Sequence, residues 1–167
     1  MIVILVPGFT ASIDTLHFLR NRLEAEGHIV YGPGFNWNTM LNGELKRLAE
    51  KIDEIGHPVV LIGHSAGGLL SVLSAQAKHP LVDGVIGLGS AIVGKVSVDV
   101  PYYEARSLWG LLFPIDGPDE VKVFPVGHAM LPFMPCVQDW VIEKLEAIDD
   151  RQQLPEVQRP VTARCVG

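Results

Sequence analysis

Residues 59–70 read Val-Val-Leu-Ile-Gly-His-Ser-Ala-Gly-Gly-Leu-Leu: an apolar run, a serine set among glycines, and a return to apolar residues. A serine held on a sharp strand-to-helix turn is forced towards positive φ, which projects its Oγ clear of the sheet. The chain crowds itself on both sides of such a turn. Gly63 and Gly67, two residues before and two after Ser65, remove that clash, and Gly68 gives the following helix further room. A helix beginning at Ala66 aims its unbonded N–H groups and the positive end of its dipole at the same spot. The chemistry implied is nucleophilic attack by Ser65. Without a strand before it and a helix after it, Ser65 would be no more than a helix N-cap, so the surrounding elements decide.

Those elements are legible. Ile2–Val6 and Pro58–Ile62 are apolar runs of strand length, as are Val82–Leu88, Val100–Ala105 and Val121–Val126, with a shorter one at His28–Tyr31. Leu16, Leu19 and Leu23 share one helical face that ends at Gly27. Leu41, Leu45, Leu48, Ile52 and Ile55 step by four and three with charged residues between them, which is an amphipathic helix closed by Gly56. Gly67–Lys78 forms a small-residue helix after the serine. Val137, Trp140, Val141, Leu145 and Ile148 mark the last one, which Pro135 helps begin. Continuous apolar strands separated by amphipathic helices predict an α/β fold, a three-layer sandwich of a mostly parallel sheet with helices on both faces. One domain over residues 1–148 is expected, followed by an irregular tail, 149–167.

Composition narrows the function classes. The 167 residues are 48% hydrophobic and 19% charged, as in a folded domain. A net charge of −6 without a basic cluster argues against nucleic acid or anionic membrane as a partner. The six apolar residues at the start are too few for a signal core or a membrane span, so a soluble, cytoplasmic protein is expected. Cys136 and Cys165 have no metal-ligand spacing.

On Val-Pro-Gly-Phe-Thr (6–10), Gly-His-Ser-Ala-Gly-Gly (63–68) and Val-Gly-His-Ala-Met-Leu-Pro (126–132), the chain resembles the α/β-hydrolase superfamily, and within it the compact, lidless serine esterase and lipase branch. The resemblance implies that the backbone N–H groups of Phe9 and Ala66 form an oxyanion hole, although Pro7 stands where relatives often carry histidine. It implies a base in the turn between the last strand and the last helix, which is His128. Of the other histidines, His17 falls in a helix, His28 opens a strand, and His57 and His79 each precede a proline. His64 lies in the turn itself and is expected to point elsewhere. No metal or organic cofactor is implied.

The pattern breaks at the third catalytic group, which should orient the imidazole. Relatives often show Asp near Trp109, where this chain reads Ala105-Arg106-Ser107-Leu108-Trp109-Gly110. Asp99, Asp119 and Glu120 are expected at the opposite sheet edge, and Glu104 would require its strand to end early. Asp116, in the Pro114–Pro118 loop, is the candidate, with a Ser–His dyad as the alternative.

The segment Ser90–Asp99 is too short for a lid, so an open groove gripping a small-molecule acyl ester is expected. Trp37, Trp109 and Met130 are its pocket candidates, with Phe9 and Phe35 also able to reach the rim, whereas Phe133 is assigned to core packing. The resemblance implies hydrolysis of carboxylic esters through an acyl-enzyme. Thioesterase or acyltransferase chemistry on the same machinery, and a non-catalytic binding protein that keeps the fold, are the alternatives.

Overall fold

The first strand shows how the sheet is built. In β1 (Ile2–Val6), Val3 and Leu5 point into one core while Ile4 and Val6 point into another, and all four are fully buried. A strand buried on both faces must be apolar throughout, which is why no alternation was visible in its sequence. The computed structural model describes residues 1–9, 11–33, 41–110 and 114–153.

The remaining elements follow in chain order. A 3₁₀ turn (Ile13–Leu16) leads into α1 (His17–Ala25), then come β2 (Ile29–Tyr31), α2 (Leu41–Ile55), β3 (Val59–His64), α3 (Ala66–Gln76) and β4 (Val82–Leu88). They continue with β5 (Gly94–Lys95), β6 (Tyr102–Trp109), β7 (Ile115–Asp116), β8 (Glu120–Gly127), a 3₁₀ turn (His128–Phe133) and α4 (Pro135–Gln153). Six strands form one sheet in the order β2-β1-β3-β4-β6-β8, every pairing parallel. Helices α1 and α4 cover one face through Leu19, Leu23, Val137, Trp140 and Leu145. Helices α2 and α3 cover the other through Leu48, Ile52, Leu70 and Val72.

The strand order reverses between β1 and β3, so a crevice opens beyond their carboxyl ends, where ligands bind in sheets of this kind. The link from β4 to β6 carries only β5, which pairs with β7 as a two-residue ribbon. No cap domain is present among the described residues.

Two expectations shift. Strand β6 runs on to Trp109, because Arg106 and Ser107 are buried polar residues that pair with β8 as apolar ones would. Trp109 therefore ends β6, beyond the Val100–Ala105 run expected as its strand. Helix α4 continues past Ile148 to Gln153, into the segment expected to be irregular. Residues 149–153 carry no apolar side chain to show the period, but i→i−4 bonding needs none. Trp37, Phe35 and residues 154–167, Cys165 among them, lie outside the described residues.

Candidate active site

The turn between β3 and α3 has the strain its sequence implied. Ser65 adopts φ 55°, ψ −120°, and only Lys78 joins it among described non-glycine residues at positive φ. Its side chain makes no capping hydrogen bond, so the hydroxyl is not used as an N-cap. The turn is held by its backbone. The Ser65 N–H donates to the Leu88 carbonyl at 3.1 Å, and the Ser65 carbonyl accepts from Gly68 and Ala91, each at 3.0 Å. A Cβ on Gly63 would collide with the backbone of Gly67, and one on Gly67 would collide with the carbonyl of Val6. Gly8 at the end of β1 approaches so closely that a Cβ there would stand 3.3 Å from the Cβ of Ser65. The turn thus touches the Pro7-Gly8-Phe9 segment, and Ala66 opens α3, whose first N–H groups have no partner within the helix.

Behind the turn lies a buried polar network. Glu104, with 0% exposure, accepts from the Ser90 N–H (2.8 Å), the Ser90 hydroxyl (2.7 Å) and the Tyr102 hydroxyl (2.7 Å). Arg106 places Nε 3.2 Å from the same carboxylate and donates to the Ser90 carbonyl at 3.1 Å. That Nε makes an ion pair without hydrogen-bond alignment. Burial pushes the Glu104 carboxyl up despite Arg106 and its three donors, and it pushes the Tyr102 phenol up as well. Gly68 and Gly87 leave the space the network fills, since a Cβ on either would strike Ser90 or Glu104.

The His128 side is built differently. His128 opens the 3₁₀ turn directly after β8. Its ring lies over Gly89, at φ 64°, where a Cβ would come within 2.7 Å of the imidazole, and its Cβ packs against Gly110. Gly89 follows Leu88, the residue that anchors the Ser65 N–H, so the β4 terminus is shared by the turn and the histidine. His64, expected to point elsewhere, instead packs on His128. The two rings are 4.9 Å apart and tilted 35°, and the His64 Nε2 lies 3.1 Å from the His128 carbonyl. The signal for this lay in pairing rather than in motif. His64 is the last residue of β3, and its partner Leu88 leads straight into Gly89. Burial brings His64 down to about 4, with the positive form of His128 acting the same way. Burial and then Arg106 hold His128 below its ordinary value.

Among the described residues, His128 has no carboxylate partner. Asp99 pairs with Lys78 at 2.8 Å, Asp119 accepts from the Tyr102 N–H at 3.0 Å, and Glu120 binds Lys144 and the Trp140 indole. All three stand at the amino ends of their strands, as expected. Asp116 is exposed in β7, its carbonyl accepting from the Val96 N–H at 2.7 Å. Around the opening, Phe9, Trp109 (70% exposed) and Met130 present apolar surface, and Trp109 pairs in register with Gly127 beside the base. Phe133 is half-buried against Phe18.

A parallel sheet carrying a strained serine turn at its switch point is the architecture of alpha/beta hydrolases. The sequence matches the alpha/beta hydrolase family over residues 3–163, and the chain belongs to it. Among solved structures it is similar to alpha/beta hydrolase domain-containing protein 10 from mouse (14% identity, 90% of each chain, TM-score 0.72). It is similar also to a monoacylglycerol lipase of Paleococcus ferrophilus (14% identity, 89% of this chain and 94% of that one, TM-score 0.72). A third is the RedJ thioesterase of prodiginine biosynthesis in Streptomyces coelicolor (13% identity, 89% and 90%, TM-score 0.67). No curated protein matches the sequence. No described helix is long and apolar enough to cross a membrane.

Proposed function

We propose that the protein is a serine hydrolase that cleaves carboxylic esters through an acyl-enzyme on Ser65. The observation that carries this reading is the positive φ of a non-glycine residue whose hydroxyl is not used as a helix cap. Backbone strain of about 1–3 kcal/mol persists only where the surroundings enforce it, and it clusters at reactive sites.

In the proposed reaction the Ser65 Oγ attacks the ester carbonyl while His128 takes its proton. The N–H groups of Phe9 and Ala66 face the negative charge that develops on the carbonyl oxygen. The tetrahedral intermediate collapses, His128 protonates the leaving alcohol, and the acyl group stays on Ser65. Water, with His128 again as base, then releases the acid and restores the serine. Protein groups supply every step. The exposed apolar rim of Phe9, Trp109 and Met130 suits an acyl chain entering from solvent. The ester preference rests on similarity to lipases at low identity.

The third role separates a dyad from a triad. With no carboxylate contact at His128 among the described residues, a Ser–His dyad is the reading favoured here, and Asp116→Asn is expected to keep activity within about threefold. Loss of about 10⁴-fold would restore Asp116 as the orienting acid. The reading as a whole is tested by intact mass and peptide mapping after treatment with a fluorophosphonate. A single adduct on Ser65, abolished by His128→Ala, is expected. An unmodified folded protein would leave a binding role on a hydrolase fold.

A further inference from the structure

We propose that His64 is a positioning residue for the base, seating the His128 imidazole in place of a triad carboxylate; the proposal rests on His128 being that base. The geometry separates two functions in one side chain. Its Nε2–H donates to the His128 carbonyl at 3.1 Å, fixing the start of the loop that carries the base. Its ring packs against the His128 ring, with centroids 4.9 Å apart and planes tilted by 35°. With Nε2 donating, Nδ1 is the bare nitrogen, and it faces Gly8, where a Cβ would come within 3.5 Å of it. His64 therefore spans from the oxyanion loop to the base loop while being covalently joined to the nucleophile. A one-residue lever of this kind keeps three catalytic parts in register, where small misplacements cost rate steeply.

The charged and titratable groups facing His128 are His64 from β3 and Arg106 from β6. Strand β4 brings Gly89, the end of β6 brings Gly110, and α1 and α4 meet the 3₁₀ turn through Phe18 and Gln138. With no anion among these described neighbours, none of them stabilises a protonated His128. Packing and the carbonyl bond are what orient it.

Two variants divide the role. His64→Phe keeps a ring and removes the donor, whereas His64→Gln keeps an amide donor and removes the ring. The maximal rate of Ser65 phosphonylation and its half-saturation concentration are read against pH, with His128→Ala beside them. His64→Phe is expected to lower the maximal rate about tenfold or more at unchanged half-saturation, with the acid limb where it was. His64→Gln should recover the rate to within a few-fold while the acid limb moves up, since water then reaches His128. Phe and Gln variants that both behave as wild type, or that both lose rate alike, overturn the proposal. If His64→Phe does not fold, His64→Gln decides alone: near-normal rate with a raised limb supports the role, and a wild-type limb or a collapsed rate overturns it. Labelling that survives His128→Ala removes the base reading itself, a separate failure.

Discussion

The two halves of the site are built by different means. On the nucleophile side, Ser65 is held by backbone bonds from Leu88, Gly68 and Ala91, by two glycines that nothing larger can replace, and by the buried Glu104–Ser90–Arg106–Tyr102 network. On the other side, the half-buried His128 packs against Gly89 and against the His64 imidazole. Ser65 is fixed by backbone bonds that survive side-chain motion. His128 is fixed by packing and by the bond from the His64 ring to its carbonyl. In the proposed dyad, the orientation of His128 depends on keeping the packing around it.

The sharpest break comes from Ser65→Ala, which should reduce hydrolysis by at least about 10⁴-fold while leaving the melting temperature nearly unchanged, as assayed with an activated ester. Next comes the network behind the turn. Glu104→Ala leaves Arg106 buried without its counter-charge and should destabilise the fold by about 3–5 kcal/mol in urea unfolding. Replacing Arg106 by Met in the same chain should return part of that loss, and strict additivity would show that the pair is not coupled. On the base side, Gly89→Ala pushes a methyl into the imidazole at a positive-φ position. It should lower the maximal rate by roughly 10–100-fold with a smaller effect on half-saturation. Equal rates for Gly89→Ala and wild type would mean that the seat does not hold the base.

The smallest effect is in pH. The His64 pKa is depressed in the fold to about 4 from 6.5, so its contribution to stability is present above 6.5 and lost as pH falls towards 4. His128, also held below its ordinary value, acts in the same direction. Glu104 is raised, so its contribution is present below 4.5 and lost as pH rises through its folded value. Unfolding free energy measured across this range should decline on acidification from 6.5, and His64→Gln should flatten that decline. For the same reason the acid limb of activity should lie below 6.5, where a triad carboxylate would raise it.

Several parts of the molecule were legible in the residues themselves. The Gly63 and Gly67 spacing around Ser65 is a local requirement of one turn, and backbone sterics impose it wherever that turn occurs. The apolar runs and the stepped leucines of α2 gave the parallel sheet and its two helical layers, because burial on both faces leaves a compositional mark. The sheet-edge assignment of Asp99 and Asp119 followed from chain direction alone.

What the residues could not show depended on partners distant in the chain. Arg106 and Ser107 read as the end of a strand until Glu104, Ser90 and the Val126 carbonyl satisfied them inside it. The sequence leaves Glu104 open as a catalytic acid if its strand ends early, and only the fold commits it to bracing Ser90. The sequence places His64 only as pointing away from the turn, because position on a strand says which way a side chain leaves, not what waits there. The sequence by itself determined the strained serine and the sheet that presents it, since both follow from short-range sterics and patterned burial. Only the tertiary structure decided what seats His128, because β3, β4 and the turn after β8 meet only when the sheet has closed.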